Sequence, residues 1–227
     1  MPNIVPAGEN SVLIYFGNKI DPALPEKIAN FANQLKKTLG VAIIDITPSY
    51  TSLKVNYDLG KMSFEAFSGT LQGLADRQWQ ETADFEAKTT HIPVYYGLDS
   101  GFDLERLLAE KNLNLDEFIQ IHSEQEYLIY AIGFAPGFAF LGEVDARIQF
   151  PRLASPRIKI PKGSVGIADS QTAVYPTQSS GGWNIIGRTL VDLSLDNPEN
   201  VDKFCVGDKV KFYPITRDEF VSNGGQL

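Results

Sequence analysis

The stretch Ile160-Pro161-Lys162-Gly163-Ser164-Val165-Gly166-Ile167-Ala168-Asp169-Ser170-Gln171-Thr172-Ala173-Val174-Tyr175 decides the reading of the second half of the chain. Val165–Ala168 and Ala173–Tyr175 are apolar runs too short for helices, and Gly, Pro and Ser punctuate them as they punctuate strands. The same grammar continues outward through Leu128–Ile132, Trp183–Ile186 and Val210–Tyr213, and after Tyr127 the helical period vanishes. Regularly interrupted short strands predict a β-barrel or sandwich. Upstream, His91–Tyr96 reads as a strand that Pro93 confines to an edge. Asp103 is placed to cap a short helix through Leu104, Leu107 and Leu108. Asn114 is placed to cap another, with Leu115, Phe118, Ile119 and His122 on one face.

The first half alternates strands and helices. Ser11–Phe16 is a strand-type run, and Asp21-Pro22 supplies an N-cap with proline at the first helical position. Leu24, Ile28, Phe31, Leu35 and Leu39 recur at spacings of 4, 3, 4 and 4, one helical face that Gly40 ends. Val41–Ile46 is a second strand, broken at Pro48-Ser49, and Leu53, Val55 and Tyr57 alternate as a third. Ser63 caps a second helix carrying Phe64, Phe67, Leu71 and Leu74, in which Gly69 and Gly73 each cost about 1 kcal/mol relative to alanine. Strand–helix–strand–strand–helix is most of a ferredoxin-like unit. The polar stretch Glu81–Thr90 is the expected boundary, giving an α+β chain with one domain over 1–88 and a second over 89–227.

A chain of 227 residues with 43% hydrophobic content can bury a sizeable core. Net charge is −8, which disfavours nucleic acid and anionic membrane as partners. The single cysteine, Cys205, makes no internal disulfide, so a reducing cytoplasm is expected. Met1–Asn10 has neither a basic nor an apolar segment of the leader type, and no apolar run approaches the roughly 20 residues of a membrane helix. With two histidines, His91 and His122, no metal site is expected.

Charge is distributed unevenly. Arg147 to Arg188 holds six basic side chains, the others being Arg152, Arg157, Lys159 and Lys162, against the single acid Asp169, a net of +5. Solvated loop charge is one reading and an anion site the other, since guanidinium forks match carboxylate and phosphate oxygens. Proline precedes both Arg152 and Arg157 and limits their freedom. Gly133-Phe134-Ala135-Pro136-Gly137-Phe138 is either a packed corner or a wall bringing backbone close to a ligand. Gly181-Gly182 offers a similar approach before Trp183. Lys162-Gly163-Ser164 lacks the Gly-Lys-Ser/Thr order of a phosphate-binding loop, although its amides could form an anion nest. Gln171 and Thr172 can donate and accept hydrogen bonds together. His122 reads either as a structural histidine on a helix face or as a proton shuttle; His91 reads as a linker residue. There is no Gly-x-Ser-x-Gly elbow, and Cys205 has no histidine nearby in sequence, so a nucleophilic triad has no support.

The combination of Gly133–Phe138, Pro151-Arg152 with Pro156-Arg157, Ile160–Ala168, Gln171-Thr172 with Tyr175-Pro176, Gly181–Trp183 and Ile186–Thr189, with His122-Ser123 after its helix, resembles the 5-oxoprolinase B-subunit family. That family is also called allophanate hydrolase subunit 1 and includes the sporulation-kinase inhibitor of bacilli. The likeness covers about His91–Tyr213, and the first half more loosely. Asp169 stands where glycine is usual and Ser180 where proline is usual. The resemblance implies a cyclophilin-like barrel after a small α/β domain. It also implies a non-autonomous hydrolase component that opens 5-oxoproline to glutamate with A and C subunits and ATP. It implies catalytic roles for His122, Arg157, Gln171 and Thr172. Arg152, Lys162, Tyr175, Arg188, Gly137 and Gly182 would hold a small anionic substrate. The alternatives are a docking module that inhibits a histidine kinase, a urea- or allophanate-related amidohydrolase component, and a prolyl isomerase on fold grounds alone.

Overall fold

The structure, a computed structural model, describes residues 2–78, 85–201 and 203–227, so residues 81–84 of the expected linker lie outside the described residues. The chain divides into two compact units, Met1–Ala87 and Lys88–Leu227.

In the first unit, β1 (Asn3–Gly8), β2 (Ser11–Tyr15), β3 (Ile43–Ser49) and β4 (Ser52–Tyr57) form a sheet in the order β1-β2-β4-β3, every neighbour antiparallel. Helices α1 (Leu24–Leu39) and α2 (Phe64–Gln78) complete it. The predicted face of α1 is the buried one: Ile28 and Leu35 are sealed, with Leu24, Phe31 and Leu39 beside them. Tyr57 stacks on Phe67 at 4.2 Å. The helix start differs from the sequence reading. Its N-cap is Ala23, while Asp21 accepts a hydrogen bond from the Ala23 amide and shapes the turn before it. Phe64 stays exposed, and Ala75 joins Phe67 and Leu71 in the buried face instead. Pro48 does not end β3, because proline costs a strand only one donor; the chain turns at Tyr50, where φ is 37°. Strand β1 has no counterpart in the sequence reading, since Pro6 and the polar residues around it mask its alternation.

The second unit contains β5 (Thr89–Val94), α3 (Leu104–Lys111), α4 (Leu115–Glu124), β6 (Glu126–Ile132), β7 (Ala139–Gly142), β8 (Arg157–Ile160), β9 (Ser164–Ala168), β10 (Gln171–Val174), β11 (Ser179–Gly181), β12 (Asn184–Arg188), β13 (Lys209–Pro214) and α5 (Arg217–Ser222). Strands β6, β7, β10, β9 and β12 pair in that order. At the other side β6 pairs β13, and β13 pairs β5 in parallel. Tyr95, just past β5, exchanges two hydrogen bonds of 2.9 Å with Arg188 at the end of β12. That exchange closes the ring, which removes exposed edges. Strands β8 and β11 form a separate ribbon. Asn114 caps α4, as its sequence predicts, and the structure adds the reciprocal Glu117 contact that makes a full capping box.

Candidate functional site

Adjacent residues of a strand point to opposite faces, and this period sorts the candidate residues. On β9 and β10, Val165, Ile167 and Val174 enter the large core with Ile129, Leu141 and Phe212. Their neighbours Ala168, Ala173 and Tyr175 face the other way, into a smaller cluster with Phe138, Trp183 and Ile160 of the ribbon. Beside this smaller cluster lies a hollow of ≈150 Å³ lined by residues including Phe134, Phe138, Arg152, Tyr175, Gly182 and Trp183.

The hollow is aromatic with a cation at its edge. Phe138 meets Tyr175 at 5.3 Å and Trp183 at 5.6 Å, both edge-to-face, a favoured aromatic arrangement. Phe134 is 67% exposed and sits at φ 73°, a conformation costly for a bulky residue and of the kind that clusters at ligand sites. The Arg152 guanidinium lies 5.9 Å from the Trp183 ring centre and 4.0 Å from the Asp169 carboxylate. Burial pushes the Tyr175 phenol up to about 12, with a hydrogen bond from the Trp183 backbone and then the Arg152 and Arg157 charges pulling the other way, so at neutral pH it is an O–H donor. Gly181, rather than Gly182, is the glycine whose missing side chain matters: a Cβ there would collide with the Tyr175 hydroxyl, whereas one at Gly182 has only ordinary contacts from 3.7 Å outward.

The loop carrying Arg152 is pinned on both sides. Asn184, fully buried on β12, donates to the carbonyls of Pro151 at 3.0 Å and Ile167 at 3.1 Å and accepts from Arg106 at 2.6 Å. The Leu153 amide donates to the Gly182 carbonyl. Asp103 occupies the N-cap position of α3 but makes no side-chain cap. Its carboxylate instead accepts from both terminal nitrogens of Arg157 and from the Ile185 amide at 2.7 Å. Arg157 is therefore committed to a protein carboxylate rather than presented to the hollow. Nothing in the sequence spacing links Asp103, Asn184 and these arginines; a buried polar residue inside an apolar strand, as Asn184 is in Trp183–Ile186, was the available signal.

His122 is fully buried among Tyr96, Tyr127 and Phe212, stacked on the last at 4.9 Å. The Tyr96 hydroxyl and Nδ1 are 2.7 Å apart, and Nε2 and Thr172 Oγ1 are 3.0 Å apart, while the Thr172 hydroxyl donates to the Gly166 carbonyl. One tautomer satisfies every group: Tyr96 donates to Nδ1 and Nε2 donates to Thr172. Burial lowers the imidazole to about 3. Both ring nitrogens face protein atoms inside the core, so the geometry gives the expected proton shuttle no route to the hollow. Thr172 belongs to this interior chain. Gln171, half-buried beside it, points to the opposite face, so the two cannot act as a pair on one ligand.

Lys162 and Arg188 gather elsewhere, around a second hollow of ≈340 Å³ that also includes Gly163, Thr189, Phe220 and Gln226. Lys162 pairs with Asp192 at 2.8 Å. Gly137, at φ 83°, is required because a Cβ would run into the Leu193 carbonyl, not because a ligand approaches it. The expected single anion pocket is thus three separate places, since strand alternation and barrel closure disperse residues that are close in sequence. Asp169 takes φ 52°, the left-handed turn geometry for which glycine is suited. Ser180 lies in β11, where the ribbon's register shifts. Among the described residues no cluster of three or more metal-ligating side chains occurs, and no helix is long and apolar enough to cross a membrane.

Comparison with known proteins agrees with this architecture. Residues 2–201 match the carboxyltransferase domain family, subdomains C and D. The chain is 36% identical over 226 residues to the 5-oxoprolinase B subunit of Bacillus subtilis, covering 94% of this chain and 92% of that one. It is 34% identical to the 5-oxoprolinase B subunit of Haemophilus influenzae, covering 92% and 96%. The crystal structure of TTHA0988 superposes with a TM-score of 0.77 at 29% identity, over 90% of this chain and 40% of that one, so this chain spans about two fifths of it. The Kluyveromyces lactis urea carboxylase shares the fold, with a TM-score of 0.67 at 16% identity over 97% of this chain and 22% of that one. With a carboxyltransferase-type α+β architecture and curated relatives matched along nearly their whole length, the chain belongs to the 5-oxoprolinase B-subunit family.

Proposed function

We propose that this chain is the B subunit of an ATP-dependent 5-oxoprolinase, acting with A and C subunits to open 5-oxoproline to glutamate. The observation that carries the reading is the hollow between Tyr175, Trp183 and Arg152. At ≈150 Å³ it lies below the roughly 300 Å³ lower bound of ordinary ligand pockets, a size that suits a five-membered lactam acid and not a nucleotide. Aromatic walls take the ring, and the Arg152 fork takes the carboxylate. Tyr175, held neutral by burial, donates to an electronegative atom of the ring. Asn184 and Gly182 fix the backbone on either side of Arg152, so less freedom is lost on binding.

An amide carbonyl is unreactive, and ATP supplies the phosphoryl group that activates it in the assembled complex. The lactam hollow does not fit that nucleotide, so no step of phosphoryl transfer is assigned to this chain. Its own part is to bind, orient and shield the lactam. The test is co-purification with the cognate A and C subunits, followed by glutamate release from 5-oxoproline with ATP. Turnover requiring all three chains and falling at least ten-fold in Arg152→Gln supports the reading. An assembled complex that turns over a urea derivative but not 5-oxoproline overturns it, as does capture and inhibition of a histidine kinase by the chain alone without any turnover.

A further inference from the structure

The second hollow poses a problem that the lactam reading does not solve. Arg188 ends β12 at the seam of the ring, opposite Tyr95 on one side and Ser164 on the other. Directly opposed residues of antiparallel strands share a face, so the Arg188 and Ser164 side chains start out side by side. The Arg188 Nε is sealed from solvent and has no hydrogen-bond partner, and the Ser164 hydroxyl, on a fully buried residue, has none either. The hydrogen bond found for the guanidinium is Nη1 to the Gln226 carbonyl at 2.8 Å. Among the described residues no carboxylate lies within salt-bridge distance of it. A partly desolvated guanidinium without a counter-charge is costly, because burial of a cation must be repaid by pairing.

Among the described side chains the other arginines have acidic partners, Arg152 with Asp169 included. Arg157 has Asp103, Arg147 has Asp145, Arg106 has Glu110, and Arg217 has Asp99. Arg188 instead opens on the hollow of ≈340 Å³, whose wall also carries Lys162, paired at its half-exposed ammonium with Asp192 at 2.8 Å. Thr189, also at its wall, accepts from the Val191 amide, which leaves its hydroxyl hydrogen free to donate. The wall is completed by the chain's last segment. Phe220 of α5 stacks on Tyr95 at 5.4 Å, and Gln226 sets its carbonyl on Arg188 where an anion's oxygen would go.

We propose that the Lys162–Arg188 hollow is a binding site for a tetrahedral oxyanion of the phosphate class, distinct from the lactam hollow, with the Gln226 carbonyl as a weak stand-in that the anion displaces. A fork of guanidinium donors beside a hydroxyl and an ammonium that keeps two donors beyond its Asp192 pair suits a phosphoryl group with three oxygens better than a carboxylate with two. Free phosphate and the phosphoryl end of a larger ester share this chemistry. The inference does not rest on the lactam reading, and either can fail alone.

The test is a titration of the isotope-labelled full chain with inorganic phosphate at constant ionic strength, following backbone amides by NMR. Saturable shifts centred on Gly163, Thr189 and Gly224 are expected, with affinity falling at least ten-fold in Arg188→Gln and unchanged in Arg147→Gln. Should Arg188→Gln not fold, Arg188→Lys keeps the charge without the fork and is expected to weaken phosphate several-fold. Lys162→Gln is expected to weaken it less. A phosphate monoester that binds more tightly than phosphate and shifts further amides around the hollow identifies an ester as the occupant; equal affinities identify the free ion. Shifts that never saturate, shifts centred on Trp183, equal affinity in the Arg188 variants, or acetate binding more tightly than phosphate would each overturn the assignment.

Discussion

Asp103 and Arg157, 54 residues apart in sequence, meet fork to fork, with Nη1 at 2.9 Å from one carboxylate oxygen and Nη2 at 2.7 Å from the other. Asp103 is 4% exposed, the Ile185 amide also donates to it and the Arg106 guanidinium lies 3.7 Å away, so this carboxylate ties the start of α3 to β8 and β12. A cation that looks from its sequence like a ligand for substrate is, in the fold, the counter-charge of a buried carboxylate.

Removing it should therefore be read first as a stability change. Arg157→Ala takes both guanidinium hydrogen bonds from a buried carboxylate and leaves it the Ile185 amide and the Arg106 guanidinium at 3.7 Å, so the loss should fall at the lower end of the about 3–5 kcal/mol that breaking a buried pair costs. Arg152→Ala, at an exposed side chain 4.0 Å from its acid, should cost no more than about 1 kcal/mol. Urea denaturation of the two variants checks the contrast; equal losses would show that the Asp103 pair does not hold the fold.

The histidine predicts a pH dependence. The folded imidazole is lowered to about 3, whereas the unfolded one titrates at about 6.5. Between these values the unfolded chain binds the extra proton, so the stability contribution is complete above pH 6.5 and is lost as pH falls towards 3. The slope within the window approaches about 1.4 kcal/mol per pH unit. His122→Gln should flatten the stability curve over that range, and turnover of the reconstituted complex should show no ionisation belonging to His122. A turnover limb near 6.5 that disappears in His122→Gln would return the residue to the chemistry.

The paired glycines should respond unequally. Gly181→Ala drives a methyl into the Tyr175 hydroxyl and towards Ile160, an overpacking change of about 1–3 kcal/mol that also narrows the lactam hollow. Gly182→Ala meets only the Leu153 carbonyl and Pro156 at ordinary contact distance, and should stay within about 0.5 kcal/mol. Thermal melts of both, with 5-oxoproline added, distinguish a shape effect at Gly181 from a general intolerance of the loop.

Asp169→Gly should stabilise. The left-handed φ of 52° costs an aspartate about 1 kcal/mol more than a glycine, although glycine gives some of this back through the unfolded chain. The change also removes the carboxylate beside Arg152, so a lactam acid should bind several-fold more tightly, as isothermal titration with 5-oxoproline would show. Weaker binding would mean that Asp169 positions Arg152 rather than competing for it.

Features that depend on local period and local chemistry are legible in the order of the residues. The 4, 3, 4, 4 spacing of Leu24 to Leu39 specifies the buried face of α1, Asn114 ahead of Leu115, Phe118 and Ile119 specifies a capped helix, and the punctuated runs after Tyr127 specify short strands, because each signal lies within one turn or a few residues. The motifs also carried the family. Which residues share a site is set by the folded arrangement. Gln171 and Thr172 are neighbours that a strand sends to opposite faces. Arg157 is claimed by an acid on another element, and Arg188 is carried to the seam of the ring, away from Arg152. Charge along a chain records how many cations a segment holds, but pairing and direction are set by contacts between residues dozens of positions apart, which no local pattern encodes.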